Sequence, residues 1–462
     1  MANVGIMPEP YRIKVVEPIR LNSYEERTRI LEAAGYNLFM VPAEEVFIDL
    51  LTDSGTSAMS IHQWAGVMQG DESYAGSRSY FRFENAIKDI MGFKYVLPTH
   101  QGRGGDRILF GIFARPGKAI PSNMHFDSSR GHTESRGGRA MDLVIDEAYD
   151  PRNLCPFKGN MDLAKLESFI SETGAENIPM ILMTVHNNVG GGQPISLENI
   201  RGTKEIASRY GIPLFIDAAR FAENAYFIKE REHGYADKSI PEIVKEMMSY
   251  FDGCTMSAKK DGLANIGGFL AMNDHDLWLR CAPRIVANEG FIHYGGMSGR
   301  DLEAIARGLY EVMDEAYLAN RIRQVRYLGE RLVEAGIEVI QPIGGHGVFV
   351  DAKAFLPHVP QEQLTADALA VAVYQECGVR GAALGTLWAE RDPVTGKDRP
   401  PKLELYRLAV PRRVYTDRHM DYVAQGIREV FANREKVSGL EIVYEPRGAR
   451  SFLARLKPIG QS

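Results

Sequence analysis

Between about residue 95 and residue 272 the chain alternates short apolar runs with amphipathic stretches, and nothing else in it constrains the fold as much. The apolar runs are Tyr95–Pro98, Met180–Val185, Leu214–Asp217, Gly253–Ser257 and Gly267–Met272. Short, apolar and bounded by turn residues, they read as strands. Phe81–Met91, Met161–Glu172, Leu197–Tyr210 and Ile240–Tyr250 carry apolar residues at helical spacing. Strands alternating with helices predict an α/β fold whose sheet is mainly parallel and covered on both faces. In such sheets ligands sit beyond the carboxyl ends of the strands.

Length adds a second constraint, because 462 residues exceed one ordinary core and two domains are expected. A helical stretch from about Gly299 to Glu334 bridges to an α+β part. That part holds strands at Glu338–Gln341, Gly347–Val350 and Leu405–Val410, and helices at Ala366–Glu376 and Asp417–Asn433. The first 56 residues read as an arm leading to a strand at Val46–Leu51. The expected division is 1–56 as arm and part of a small domain, 57–310 as the large domain and 311–462 as the small C-terminal domain.

A net charge of −6 gives no electrostatic reason to expect nucleic acid or an anionic membrane as partner. The N-terminal stretch lacks the apolar run of a secretory signal, and no window is long and apolar enough to span a membrane. The four cysteines, Cys155, Cys254, Cys281 and Cys377, lie far apart and form no CxxC pair. Neither a disulfide framework nor a zinc site is expected, and a reducing cytoplasm is the simplest compartment.

Four segments carry chemistry. His100–Asp106 (HQGRGGD) follows an apolar strand and opens a helical pattern. Its glycines allow backbone N–H groups to approach a phosphate, although a plain turn has the same composition. Leu214–Arg220 (LFIDAAR) is a buried strand ending in Asp217, which suits holding a pyridine nitrogen protonated, with Arg220 in reach of the ring oxygen. A helix N-cap is the alternative for Asp217. Thr255–Asp261 (TMSAKKD) offers a hydroxyl and two lysines after a strand, as a phosphate contact and a Schiff-base lysine require, or else an exposed lysine pair. Arg407, inside the apolar Leu405–Val410, is costly unless paired. A carboxylate ligand would satisfy it, and so would a structural salt bridge. Taken singly each segment is ambiguous. Their order is that of a fold-type-I pyridoxal-phosphate (PLP) enzyme, with Lys260 as the Schiff-base lysine.

Longer motifs sharpen the reading: Ile48–Thr56 (IDLLTDSGT), Gly70–Ser77 (GDESYAGS), Pro98–Gly104, Gly191–Pro194, Ala219–Lys229 (ARFAENAYFIK), Met256–Asp261, Pro411–Thr416 and Tyr444–Pro446. On these the chain resembles the tryptophanase and tyrosine phenol-lyase family of β-eliminating lyases over nearly its whole length. The resemblance implies fold type I, with the large domain binding PLP. It implies that Lys260 binds the cofactor and then takes the substrate α-proton, that Asp217 pairs with the pyridine nitrogen, and that Arg220 meets the ring oxygen. Phe126 would stack on the ring, and Gln101, Gly102, Arg103, Ser257 and Lys259 would surround the phosphate. Tyr74 would be the general acid, and it and Tyr294 would come from a neighbouring subunit of a homotetramer. Arg407, Asn188, Thr52 and Ser54 would hold the α-carboxylate. Glu72 with carbonyl oxygens of Gly55 and Asn265 would bind potassium.

The implied reaction is β-elimination from an amino acid to pyruvate and ammonium. An aromatic carbon leaves only after protonation, hence the need for an acid such as Tyr74. Tyrosine phenol-lyases hold the phenolic oxygen with Thr and Arg; the matching positions here are Asp127 and Leu384. Losing the Arg argues against tyrosine. Asp127 and Phe291 resemble tryptophanase, but Ser451 stands where tryptophanase has a His. Ile292 and His293 also depart from both relatives, which have Pro or a smaller residue there. The ranking is therefore tryptophan first, another aromatic or β-substituted amino acid second and tyrosine third. His100 and His125 are expected near the cofactor, whereas His132 and His186 read as core or hydrogen-bonded residues. The rival readings are an aminotransferase on the same fold, a PLP binder without turnover and a non-catalytic binding module.

Overall fold

The computed structural model describes residues 8–392, 395–446 and 448–460. Its larger sheet has seven strands: β1 (Tyr95–Thr99), β2 (Ala119–Ser122), β3 (Arg139–Asp142), β4 (Ile181–Thr184), β5 (Leu214–Asp217), β6 (Gly253–Ser257) and β7 (Gly268–Met272), in the spatial order β1-β7-β6-β5-β4-β2-β3. All neighbours run parallel except β7, which is antiparallel to both β1 and β6. The carboxyl ends of the other six strands therefore share one edge. The α/β class and the mainly parallel sheet follow the sequence reading.

Two strands escape that reading, β2 and β3. Pro121 lies inside β2, and proline argues against a strand. The structure tolerates it because β2 meets β4 only at Ser122↔Leu182. β3 is a four-residue edge strand that begins with an exposed Arg139. The core beneath these strands is close-packed: Leu97, Ile108, Phe110, Met180, Leu182, Phe215 and Leu270 are each at most 1% exposed. Burying each such side chain stabilises by roughly 1.5–3 kcal/mol.

The chain divides into two compact units. The first takes Ser54–Ala148 and Cys155–Arg321 and contains the seven-stranded sheet. The second takes Glu9–Asp53, Tyr149–Leu154 and the chain from Ile322 onward. In the second unit β8 (Gly347–Asp351), β9 (Ala382–Leu384) and β10 (Leu405–Ala409) form an antiparallel sheet in the order β9-β10-β8. Helices Thr365–Cys377 and Asp417–Ala432 contribute Leu369, Val373, Met420 and Val423 to its core, beside Tyr406 and Leu408.

Several expected elements are shorter than the sequence suggested. Glu338–Gln341 forms only a bridge, Val339↔Val350. Val46–Leu51 reduces to Ile48–Asp49, paired in parallel with Val379–Arg380. The stretch Gly299–Glu334 is two helices, Gly299–Glu311 and Glu315–Glu334, because the Asp314 carboxylate accepts from Tyr317 N–H (2.7 Å) and starts a new helix. Capping boxes at Ser60, Ser239 and Ser298 fix three other helix starts. The four cysteines are free thiols.

Candidate active site

At the shared carboxyl edge of the larger sheet, β5 ends at Asp217, opposite Thr255 of β6 and Thr184 of β4. β6 ends at Ser257, and the chain turns through Ala258, Lys259 and Lys260 before reversing into β7. β1 leads through His100 to Gln101, which bridges Gly267, and helix Gly102–Phe113 starts there. Sequence segments more than a hundred residues apart thus meet at one edge because the strands carrying them are sheet neighbours.

The start of helix Gly102–Phe113 makes an anion cup. Gln101 is its N-cap yet caps nothing with its side chain; Gly104 N–H donates to Gln101 oxygen (3.0 Å), and the helix N-terminus points its positive end at this edge. A Cβ on Gly102 would lie 2.7 Å from Cβ of Ser257, so only glycine lets the helix start approach β6 this closely. Arg103 is exposed, and burial together with the Arg103 charge pushes the Lys259 ammonium below its ordinary value. Two cations held near each other at a helix N-terminus fit a phosphate.

Deeper in the edge, burial pushes the Asp217 carboxyl up, while the charges of Lys260 and Arg220 and the Ala219 N–H (3.1 Å) pull it down. A pyridinium facing Asp217 would complete that balance. Asp106, one turn into the helix, accepts from the Ser128 hydroxyl at 2.7 Å. Burial first, and then the charge of Asp217, push it up to about 7. Asp261 is fully buried and accepts from the N–H groups of Ala222 (2.8 Å) and Glu223 (3.3 Å), while its own N–H donates to Ala219 oxygen (3.2 Å). It thereby ties the residue after Lys260 to the segment after Asp217. No role was assigned to Asp106 or Asp261 from sequence. The one available signal for Asp261 was an acid directly after the lysine.

The remaining expected residues of this unit fall as follows. Phe126 is half-buried and precedes Asp127, whose Oδ2 accepts from Arg103 (3.0 Å) while its buried Oδ1 has no hydrogen bond among the described residues. Asn188 is 6% exposed, just past β4. His125, buried between Ser129 (3.0 Å) and Ile120 oxygen (2.8 Å), is pushed down to about 4 by desolvation and so stays neutral. His100 pairs with Glu289, His132 accepts from Arg136 (3.2 Å), and His186 is buried 3.6 Å from Glu223. Gly55 N–H donates to Lys259 oxygen (2.8 Å), and its carbonyl accepts from the Asn265 amide (2.9 Å). Ser54 is the half-buried residue before it. Glu72 pairs with Arg300 at 3.0 Å and accepts from Gly299 N–H at 3.3 Å. Tyr74 stacks on Phe291 (5.6 Å between centroids) and leans on Tyr294 (5.3 Å), whose hydrogen bond pushes the Tyr74 phenol up.

In the second unit Arg407, 6% exposed, stands in β10 opposite Ala382 and donates to Leu51 oxygen at 3.0 Å, one residue before Thr52. Leu384, 3% exposed, packs with Ile340, Phe349 and Leu405 in an apolar cluster. Ser451 lines a cavity of about 20 Å3 together with Tyr36, Phe39, Asp367, Ala382 and Ala383.

A model of the β-eliminating lyases matches residues 49–426. A tyrosine phenol-lyase of Symbiobacterium thermophilum is 55% identical over 451 residues, covering 98% of both chains. A tryptophanase of Salinibacter ruber is 54% identical over 451 residues, covering 97% of this chain and 95% of the relative. Among solved structures, a Sphingomonas wittichii serine palmitoyltransferase aligns with a TM-score of 0.59 at 13% identity, covering 89% of this chain and 97% of that one. That last likeness is one of fold.

Proposed function

The chain belongs to the β-eliminating lyase family, and from that premise we propose that it cleaves the Cβ–aryl bond of an aromatic L-amino acid, tryptophan first, to give pyruvate, ammonium and the free ring. The enzyme is a PLP-dependent lyase. The cofactor, when bound, supplies the electron sink that acidifies the substrate α-proton. Gln101, Gly102, Arg103, Ser257 and Lys259 hold its phosphate. Phe126, Asn188 and Tyr294 would line its ring, with Asp217 facing the ring nitrogen and Arg220 the ring oxygen. Lys260 would hold the cofactor, and its Nζ is the base that would take the proton from Cα. Thr52, Ser54, Asn188 and Arg407 bind the α-carboxylate. Tyr74 Oη delivers a proton to the ring carbon bonded to Cβ.

One observation carries the choice of tryptophan. Asp127 keeps a buried carboxylate oxygen free of hydrogen bonds among the described residues, an acceptor for an indole N–H. Leu384, sunk in an apolar cluster, offers no charge to a phenolate. The relatives do not decide, since the tyrosine phenol-lyase at 55% and the tryptophanase at 54% identity differ too little. Phe291 and Ser451 complete the leaving-group contacts in this reading.

The enzyme acts as a cytoplasmic homotetramer in the same reading, with Tyr74 and Tyr294 completing a neighbour's site. Their adjacency on one chain supports joint delivery. Glu72, Gly55 and Asn265 bind a potassium ion; the meeting of Gly55 and Asn265 supports part of that site. The test is pyruvate release without added keto acid from tryptophan, tyrosine and S-methylcysteine, in potassium and then in sodium. The expected order is tryptophan above tyrosine, with a large loss in sodium. Faster release from tyrosine overturns the substrate, and a need for keto acid overturns the reaction.

A further inference from the structure

Tyr74 lies on the connection between helices Ile61–Gln69 and Arg78–Met91 and is 69% exposed. A proton donor on so open a segment needs anchoring. The segment is tied at its start: Asp71 accepts from the N–H groups of Arg78 (2.8 Å) and Ser79 (2.9 Å). It is tied at its end, where Ser77 caps the following helix. Between these, among the described residues, the one backbone hydrogen bond from residues 73–76 to another part of the chain is Gly76 N–H to Nδ1 of His293, at 2.9 Å.

That bond is built from both sides. Gly76 has φ +70°, a conformation glycine reaches without cost, and this turns its N–H outward. The His293 ring is stacked on Tyr80 (4.5 Å, 25°) and meets Phe291 edge-on (5.1 Å, 76°), so its orientation is set by two aromatic neighbours. Phe291 is also the ring on which Tyr74 stacks (5.6 Å, 23°). An amide N–H can only donate, so Nδ1 of His293 is the acceptor in this bond.

We propose that His293 is the positioning residue for Tyr74: it fixes the turn two residues beyond the acid and so holds the phenol against Phe291 and Tyr294. The proposal rests on the reading of Tyr74 as the proton donor. It applies only to leaving groups that depart from carbon, because a thiolate leaves without a proton from the enzyme.

The experiment compares His293→Phe, His293→Asn and Tyr74→Phe as holoenzymes. Phenylalanine keeps the stack on Tyr80 but cannot accept; asparagine can accept through its amide oxygen. Substrates are tryptophan and tyrosine in separate arms, with S-methylcysteine as the thiolate control. The expected result for His293→Phe is a roughly tenfold fall in kcat for the better aromatic substrate with KM unchanged, the worth of one hydrogen bond. S-methylcysteine turnover stays within about twofold, and asparagine restores most of the aromatic rate. If the Phe variant does not fold, His293→Leu carries the same comparison. Equal loss on both substrate classes, or an asparagine variant no better than phenylalanine, overturns the role of His293. If Tyr74→Phe itself leaves the aromatic rate intact, the underlying reading of Tyr74 fails instead, and the two failures are told apart.

Discussion

Two carboxyl groups share the floor of the site in this enzyme, and burial treats them differently from surface acids. Asp106 is pushed up to about 7, so the folded chain holds its proton where the unfolded chain has released it. From the ordinary carboxylate range up to about pH 7 the unfolded state binds fewer protons, and stability falls as pH rises through that window. Asp106→Asn, which keeps an acceptor for Ser128, should flatten this slope. Thermal unfolding of the cofactor-free protein should show the variant gaining on the native chain between about pH 4 and about pH 7, by a few kcal/mol at most. A parallel pH dependence would mean that Asp106 is ionised throughout. Lys260→Ala should cut turnover by about a thousandfold or more while leaving the phosphate cup able to bind PLP, checked by pyruvate release and by the loss of the holoenzyme's visible band. Lys260 and Asp217 were legible in the sequence because Asp217 ends a strand and Lys260 lies three residues beyond one. Asp106 and Asp261 were not, because their partners at Ser128, Asp217 and Ala222 become neighbours only through sheet order.

Among the elements, helix Gly102–Phe113 does most to define the cup, and its first residue sets how near it comes to β6. Gly102→Ala would place a methyl group 2.7 Å from Cβ of Ser257. The helix must retreat, at roughly 1–3 kcal/mol, and PLP affinity should drop about tenfold or more. Titration with PLP, read against thermal stability, separates this from general unfolding; unchanged affinity would show that the cup does not depend on that approach. Helices were the most legible elements: Ile240–Ser249 and Leu197–Arg209 end within a residue of their apolar pattern. The missed strands β2 and β3 carry a proline and an exposed arginine, and their place in the sheet comes from neighbours rather than their own composition.

For the whole molecule, the apolar face of helix Ile61–Gln69 is informative. Ile61, Trp64 and Met68 are 60%, 52% and 84% exposed on a single chain. Exposed large apolar groups clustered on one helix mark a contact surface. In the proposed tetramer they would meet a neighbour, and Trp64→Glu should then shift the sedimentation coefficient toward smaller species and reduce activity in proportion. A variant that stays tetrameric would place the contact elsewhere. At this scale the order of the four chemical segments revealed the fold type; the second unit draws on chain from three separate stretches, of which Tyr149–Leu154 carries no sequence mark of its place there.

The reversal after Ser257 has one more effect. β7 runs back beside β6 and also pairs with β1, so the ten residues between Ser257 and Gly268 leave and rejoin the sheet at the same edge. The lysine-bearing turn is stitched down at both ends, with Asp261 as a third stitch. Amides from Ala258 to Leu263 should exchange with solvent only when neighbouring strands separate, and proteases that nick surface loops should leave this one whole.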